Sequence, residues 1–149
     1  MDVAARLLKT RWIVRLPIPV FRAGFGFVFG GRLLMLEHMG RSSKQWRQVV
    51  LEVADREDPS TVVIASGFGR RAQWYRNLAA EPRCVVSVGT IHRRRARAEL
   101  LGEAESRRLL QRYAAEHPAT WKMLDQAIVD ATGEADPHIP MVRLRLEPA

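Results

Sequence analysis

Cysteine, lysine and long apolar runs are the scarce features of this 149-residue chain. Its one cysteine, Cys84, lies inside the apolar run "CVVSV", so no internal disulfide can form and the fold has to rest on a hydrophobic core. Among those neighbours Cys84 reads as a buried structural thiol, and a reducing, cytoplasmic setting is expected. Histidine is sparse too: His38, His92, His117 and His138 are scattered, with no HxH or HxxxH pair, so no metal site is expected. No serine stands in a GxSxG context, which removes that route to nucleophilic catalysis. The apolar stretch "VFRAGFGFVFGG" runs for about a dozen residues, fewer than the ~20 that span a bilayer. Arg15, Pro17 and Pro19 interrupt any signal-peptide core.

What the chain does have is a core-forming composition and a surplus of positive charge. Hydrophobic residues make up 47% and charged residues 27%, ordinary values for one globular domain. The formal net charge is +8, and all 24 basic residues except Lys9, Lys44 and Lys122 are arginine. Such a field attracts nucleic acid, anionic lipid or phosphorylated small molecules. Nucleic acid is not expected as a partner, because no zinc-finger spacing, helix-turn-helix or aromatic–basic RNA motif is present.

Two segments are distinguished along the chain. Residues 1–31 read as an N-terminal helical segment: "MDVAARLLKTRWIVRL" has Asp2 as a candidate N-cap, and Pro17 and Pro19 then break the helix. That segment reads either as a cover over one end of the core or as an arginine-rich amphipathic surface that rests on anionic membrane. Residues 32–149 read as the main domain. "RLLMLEHM" and "RQVVLEVADR" flank the polar loop "GRSSKQW" as a hairpin, and "TVVIAS" is a third strand. A helix is expected from Arg71 to Ala80, a second hairpin around Gly89-Thr90, and a helix over "EAESRRLLQRYAAEH". Helix resumes in "ATWKMLDQAIVDA", and "HIPMVRLRLEP" closes as a strand. The order is not a regular β-α alternation. It predicts a mainly β, mostly antiparallel barrel with helices packed outside.

The stretch "IASGFGRRAQWYRNL" runs a strand into a glycine-rich, arginine-rich turn and then a helix. "GFGRRA" fits the alanine variant of a dinucleotide fingerprint, but no βαβ unit follows it. What remains is anion recognition. A helix N-terminus offers unpaired N–H groups, Ser66, Gly67 and Gly69 allow close approach, and Arg70 and Arg71 add charge-assisted donors. "GRSSKQWR" supplies a second such set in Gly40, Arg41, Ser42, Ser43, Lys44 and Arg47. On these residues alone, both stretches also read as ordinary solvated loops.

Taken together, "GRSSKQWR", "VVIASGFGRRAQWYRNLAAEPRCVVSVG" and "RARAELL" resemble the deazaflavin-dependent nitroreductase family, whose members use coenzyme F420. The resemblance covers roughly Leu16 to Val142. It implies an FMN-binding-like split β-barrel and hydride transfer from the reduced coenzyme to a quinone, nitroaromatic or activated alkene. It also implies a monomer or homodimer, peripheral on membranes in several members. Carried over by position, Gly40, Arg41 and Ser43 match the family's G-R-(K/R)-(S/T)-G loop that contacts the polar tail. Ser66, Gly67 and Gly69, with Phe68 between them, match the turn near the ring, and Trp74, Tyr75, Asn77 and Leu78 the helix after it. Trp74 and Leu78 also read as core anchors. Two positions depart from the pattern: Ser42 stands where a basic residue is usual and Lys44 where glycine is usual. Tyr113 and His117 are the candidate proton donors, with Trp121 nearby in the chain. Alternative expectations are a lipid-binding or non-catalytic barrel and an FMN-dependent reductase.

Overall fold

The period-two alternation of the apolar runs is realised as strands that all belong to one closed sheet. The computed structural model describes residues 17–66, 71–119, 121–122, 126 and 139–148. Its strands are β1 (Leu33–Met39), β2 (Trp46–Asp58), β3 (Thr61–Ala65), β4 (Arg83–Val88), β5 (Ile91–Leu100) and β6 (Met141–Leu146). They close in the order β1-β2-β3-β6-β5-β4, and every neighbouring pair is antiparallel. Closure fills the barrel from one face of each strand. Leu34, Leu36, Val62, Ile64, Cys84, Val86, Ala96, Val142 and Leu144 form one buried cluster. Cys84 is thus the structural thiol its neighbours suggested, and burial pushes its pKa up to about 12.

The helices lie outside. α2 (Gln73–Ala80) inserts Trp74, Tyr75 and Leu78 into the interior cluster, so three near-consecutive apolar positions pin it over one end of the barrel. α3 (Glu103–Glu116) crosses the outer face, where Leu109 packs with Val63, Leu101 and Met141. β2 bulges between Val53 and Asp55 and again between Arg56 and Asp58, which lets thirteen residues wrap the barrel.

Near the N-terminus a short helix, α1 (Pro17–Arg22), holds both prolines. A 3-10 turn, Gly26–Phe29, follows and leaves Phe25, Phe27 and Val28 exposed. The helix expected over residues 2–16 lies outside the described residues, as does most of the one expected over 119–131. Among the described residues no helix is long and apolar enough to cross a membrane.

Arg143, on the outward face of β6, joins four elements. Its guanidinium donates to Glu57 of β2 (3.1 Å from NH2) and to Glu105 of α3 (2.7 Å), with Glu99 of β5 at 3.6 Å. Its side chain is only 10% exposed, which makes the loss of its partners costly. The hydrogen bonds from Arg143 hold the Glu57 carboxyl below the usual carboxylate range. A depressed folded pKa contributes stability that is present above the unfolded value and lost as pH falls through the folded one. Arg143→Ala is therefore expected to lower stability by about 2 kcal/mol at neutral pH, an order of magnitude for one partner of a partly buried network. In urea unfolding the deficit should shrink as pH falls below 4.5, the ordinary Glu value, towards the depressed one of folded Glu57; an equal deficit at pH 7 and pH 3 would refute the assignment.

Candidate functional site

The barrel mouth beneath α2 is built from the β1–β2 connection. Gly40 is closely packed there: a Cβ would lie 2.2 Å from Ser43 Oγ and 3.2 Å from the Gln45 carbonyl oxygen, so a larger residue would displace the serine side chain. Two backbone bonds tighten the loop: Gly40 N–H donates to Gln45 O and Lys44 N–H to Gly40 O, each at 2.9 Å. Lys44 takes the left-handed conformation, φ +57°. The backbone at this position has the geometry that the family's usual glycine would relax, and a lysine occupies it under strain.

A polar relay ties this loop to α2. Gln73 and Asn77 are four residues apart and share a helix face, while Trp74 and Leu78 use another face for the core. Asn77 Oδ1 accepts from Arg41 twice, from the backbone N–H at 3.2 Å and from NH1 at 2.7 Å. Gln73 Oε1 accepts from Arg41 NH2 at 2.8 Å. The Asn77 amide nitrogen lies 2.9 Å from His38 Nδ1. An amide nitrogen can only donate, so His38 accepts at Nδ1 and carries its proton on Nε2. His38 is 3% exposed, and burial, with the nearby Arg47 charge, lowers its pKa to about 4. The ring is therefore neutral at physiological pH.

The mouth is cationic. Arg47 pairs across the hairpin with His38, Arg71 stands two residues before Gln73, and Lys44 is in the loop. Among the described residues no carboxylate pairs with Arg41, Lys44, Arg47 or Arg71. Arg41 bonds only to neutral acceptors, so its charge stays available to an anion. Ser42, Ser43, Lys44, Arg47 and Arg71 are exposed and Arg41 is half-buried, as a binding surface requires.

The other expected residues are distributed as follows. Ser66 is buried at the end of β3, and its N–H donates to Pro140 O at 2.9 Å. Gly67, Phe68, Gly69 and Arg70 lie outside the described residues. Trp74 is an interior anchor, edge-on to Tyr75. Tyr113 and His117 come together, ring centroids 5.0 Å apart, in a cleft of about 240 Å³ lined also by Glu52, Asp55 and Arg32. There Tyr113 donates to Glu52 at 2.9 Å, and burial and that carboxylate raise its pKa well above the usual phenol range. Sequence reasoning missed His38 and Gln73. The signal was present: His38 continues the inward series Leu34, Leu36 to the mouth, and Gln73 precedes Asn77 by one helical turn.

A closed, six-stranded antiparallel barrel with its helices packed outside defines a split β-barrel protein. The profile of the F420H(2)-dependent quinone reductase family matches residues 20–131, and the chain belongs to that family of oxidoreductases. A curated Mycobacterium tuberculosis protein named "Putative F420H(2)-dependent quinone reductase Rv3178" is 36% identical over 92 residues, covering 61% of this chain and 76% of that one. Two solved structures share the fold. A structure titled as an F420-H2 dependent reductase (FDR-A) has a TM-score of 0.54 and 18% identity, over 76% of this chain and 94% of that one. The Agrobacterium tumefaciens protein Atu2129, of unknown function, has a TM-score of 0.56 and 18% identity; the match covers 90% of this chain and 56% of that longer one.

Two measurements check the geometry of the mouth. Lys44→Gly should raise stability by about 1 kcal/mol, since glycine adopts left-handed backbone without the side-chain penalty; a destabilised variant in chemical unfolding would contradict the strain. In an NMR titration His38 should stay neutral at pH 6 and protonate with a midpoint near 4. An unfolded histidine binds its proton at a higher pH than this folded one, so stability is full above pH 6.5 and falls towards pH 4. A His38 midpoint at 6.5 would show that the ring is not locked against Asn77.

Proposed function

We propose that this chain binds reduced coenzyme F420 through the anionic tail at the barrel mouth and directs a hydride to an apolar, electron-poor acceptor of the quinone type. The observation that carries the proposal is the group of cations at the mouth, Arg41, Lys44, Arg47 and Arg71, with no acidic partner among the described residues. Membership of the family supports the same reading.

When bound, the reduced deazaflavin supplies the hydride, and the protein contributes binding, orientation and exclusion of water. Arg41 meets the tail with a guanidinium already oriented by Asn77 and Gln73, so little freedom is lost on binding. Arg47, Lys44 and Ser43 extend the cradle along the loop. By the family resemblance of their sequence, Ser66, Gly67, Gly69, Arg70 and Arg71 are proposed to meet the coenzyme as well. Trp74 acts from below, fixing α2 so that Asn77 keeps its place. Reduction of a quinone to a hydroquinone needs one hydride and one proton. Tyr113, raised in pKa and engaged by Glu52, is a weak acid, so solvent is the proposed proton source.

Fluorescence titration of the purified protein with the coenzyme tests the proposal. Binding in the micromolar range or tighter is expected. Arg41→Ala should weaken it about 10- to 100-fold, the loss of charge-assisted hydrogen bonds. Oxidation of the reduced coenzyme should then depend on added quinone. No detectable binding by the wild-type chain would sink the reading.

A further inference from the structure

We infer that His38 is a positioning residue for anion recognition: by accepting from Asn77 it fixes the amide so that Arg41 is held, fully charged, at the mouth. The inference rests on the coenzyme-tail reading above and goes beyond it to a residue outside the loop and turn motifs.

The chemistry of the amide makes the argument. Asn77 has one acceptor and one donor end, and Arg41 presents two donors to it, at 3.2 Å and 2.7 Å. Only the orientation with Oδ1 towards Arg41 satisfies both. A flipped amide would set N–H against N–H at Arg41 and oxygen against the lone pair of His38 Nδ1. Nothing in the Asn77 side chain itself selects the productive orientation, because the two ends have nearly the same size. The two Arg41 donors select it, and His38 locks it by taking the donor end at Nδ1, 2.9 Å away. Both groups are 3% exposed, so water does not substitute readily for either contact. The relay also explains the use of neutral side chains. A carboxylate at position 73 or 77 would orient Arg41 equally well but would cancel its charge. A neutral histidine behind a neutral amide orients the guanidinium and leaves the charge for the ligand. With Ser42 in place of a basic residue, the loop depends more heavily on Arg41 being correctly aimed.

Three variants and two probes test this. His38→Leu removes the acceptor. His38→Gln keeps a polar side chain but carries its amide one bond further out, away from Asn77. His38→Asn places an acceptor where Nδ1 stood. Dissociation constants are measured for the whole coenzyme and for a deazaflavin lacking the phosphate and glutamate tail. His38→Leu and His38→Gln are expected to bind the whole coenzyme about tenfold more weakly and the tail-less compound as wild type does, while His38→Asn recovers most of the loss. A general packing defect would weaken both probes together, and that result overturns the inference. So does unchanged binding of the whole coenzyme by both His38→Leu and His38→Gln. In either case wild-type binding stands and the proposed function is untouched, whereas a wild-type chain that binds neither probe sinks both. Should His38→Leu fail to fold, His38→Gln carries the comparison.

Discussion

Closure of the six-stranded sheet decides where each polar side chain of this protein can go. A barrel of this size has an interior just wide enough for its own side chains. One face of every strand is therefore committed to apolar residues, and polar residues are confined to the outer face or to the two ends. In β1 this reads Leu34, Leu36, His38: the third inward position is polar because it lies at the mouth, where α2 and the loop from Gly40 supply partners. The same rule sends Arg143 and Arg145 outward from β6 while Val142 and Leu144 fill the interior. The chemistry of the site follows from where the inward register ends.

The distribution of acids over the barrel gives the mouth its character. The chain is strongly basic, yet many of its outer-face arginines are paired. Arg93 grips Glu37 with two bonds, Arg145 reaches Glu99, Arg112 reaches Glu116 and Arg107 reaches Glu103. Carboxylates are thus spent along the outer faces of β1, β2, β5 and α3. At the mouth the acceptors are amides and an imidazole. An exposed ion pair contributes little stability, so these pairs matter little for folding. Among the described residues Arg41, Lys44 and Arg47 at the mouth have no carboxylate partner, and neither have Arg94, Arg95 and Arg97 of β5. Clustered cations of this kind attract a polyanion.

Much of this architecture could be read from the residues. The apolar run "TVVIA" marked β3, alternation in "MVRLRL" marked β6, and the turn at Gly89-Thr90 separated β4 from β5 as expected. The helix carrying Trp74 and Leu78 was legible from its helical spacing of core residues, whereas the loop Gly40–Arg47 stood apart from an ordinary solvated loop only through the family resemblance. His38 was harder to find because its role depends on register. Only the pairing of β1 with β2 and β4 places it inward at the mouth rather than outward beside Glu37. Tyr113 posed the opposite difficulty. Its residue type suggested chemistry, but the helical phase of α3 turns it to Glu52 on the outer face of β2, away from the mouth relay.

The loop's departures from the family pattern can be understood as one exchange. Charge missing at Ser42 returns two positions later at Lys44, in a backbone conformation that glycine would occupy more cheaply. The left-handed conformation costs an ordinary residue about 1–2 kcal/mol, a sizeable share of the 5–15 kcal/mol by which domains are usually stable. A loop under selection for folding alone would carry glycine there. Retaining lysine is intelligible if the mouth needs its cations more than the barrel needs the stability. The neutral relay through Asn77 to His38 points the same way: a carboxylate would bind Arg41 more strongly, and the fold forgoes it. Both features sacrifice stabilisation in order to keep positive charge at one end of the barrel, and an anionic ligand is what would make that sacrifice useful.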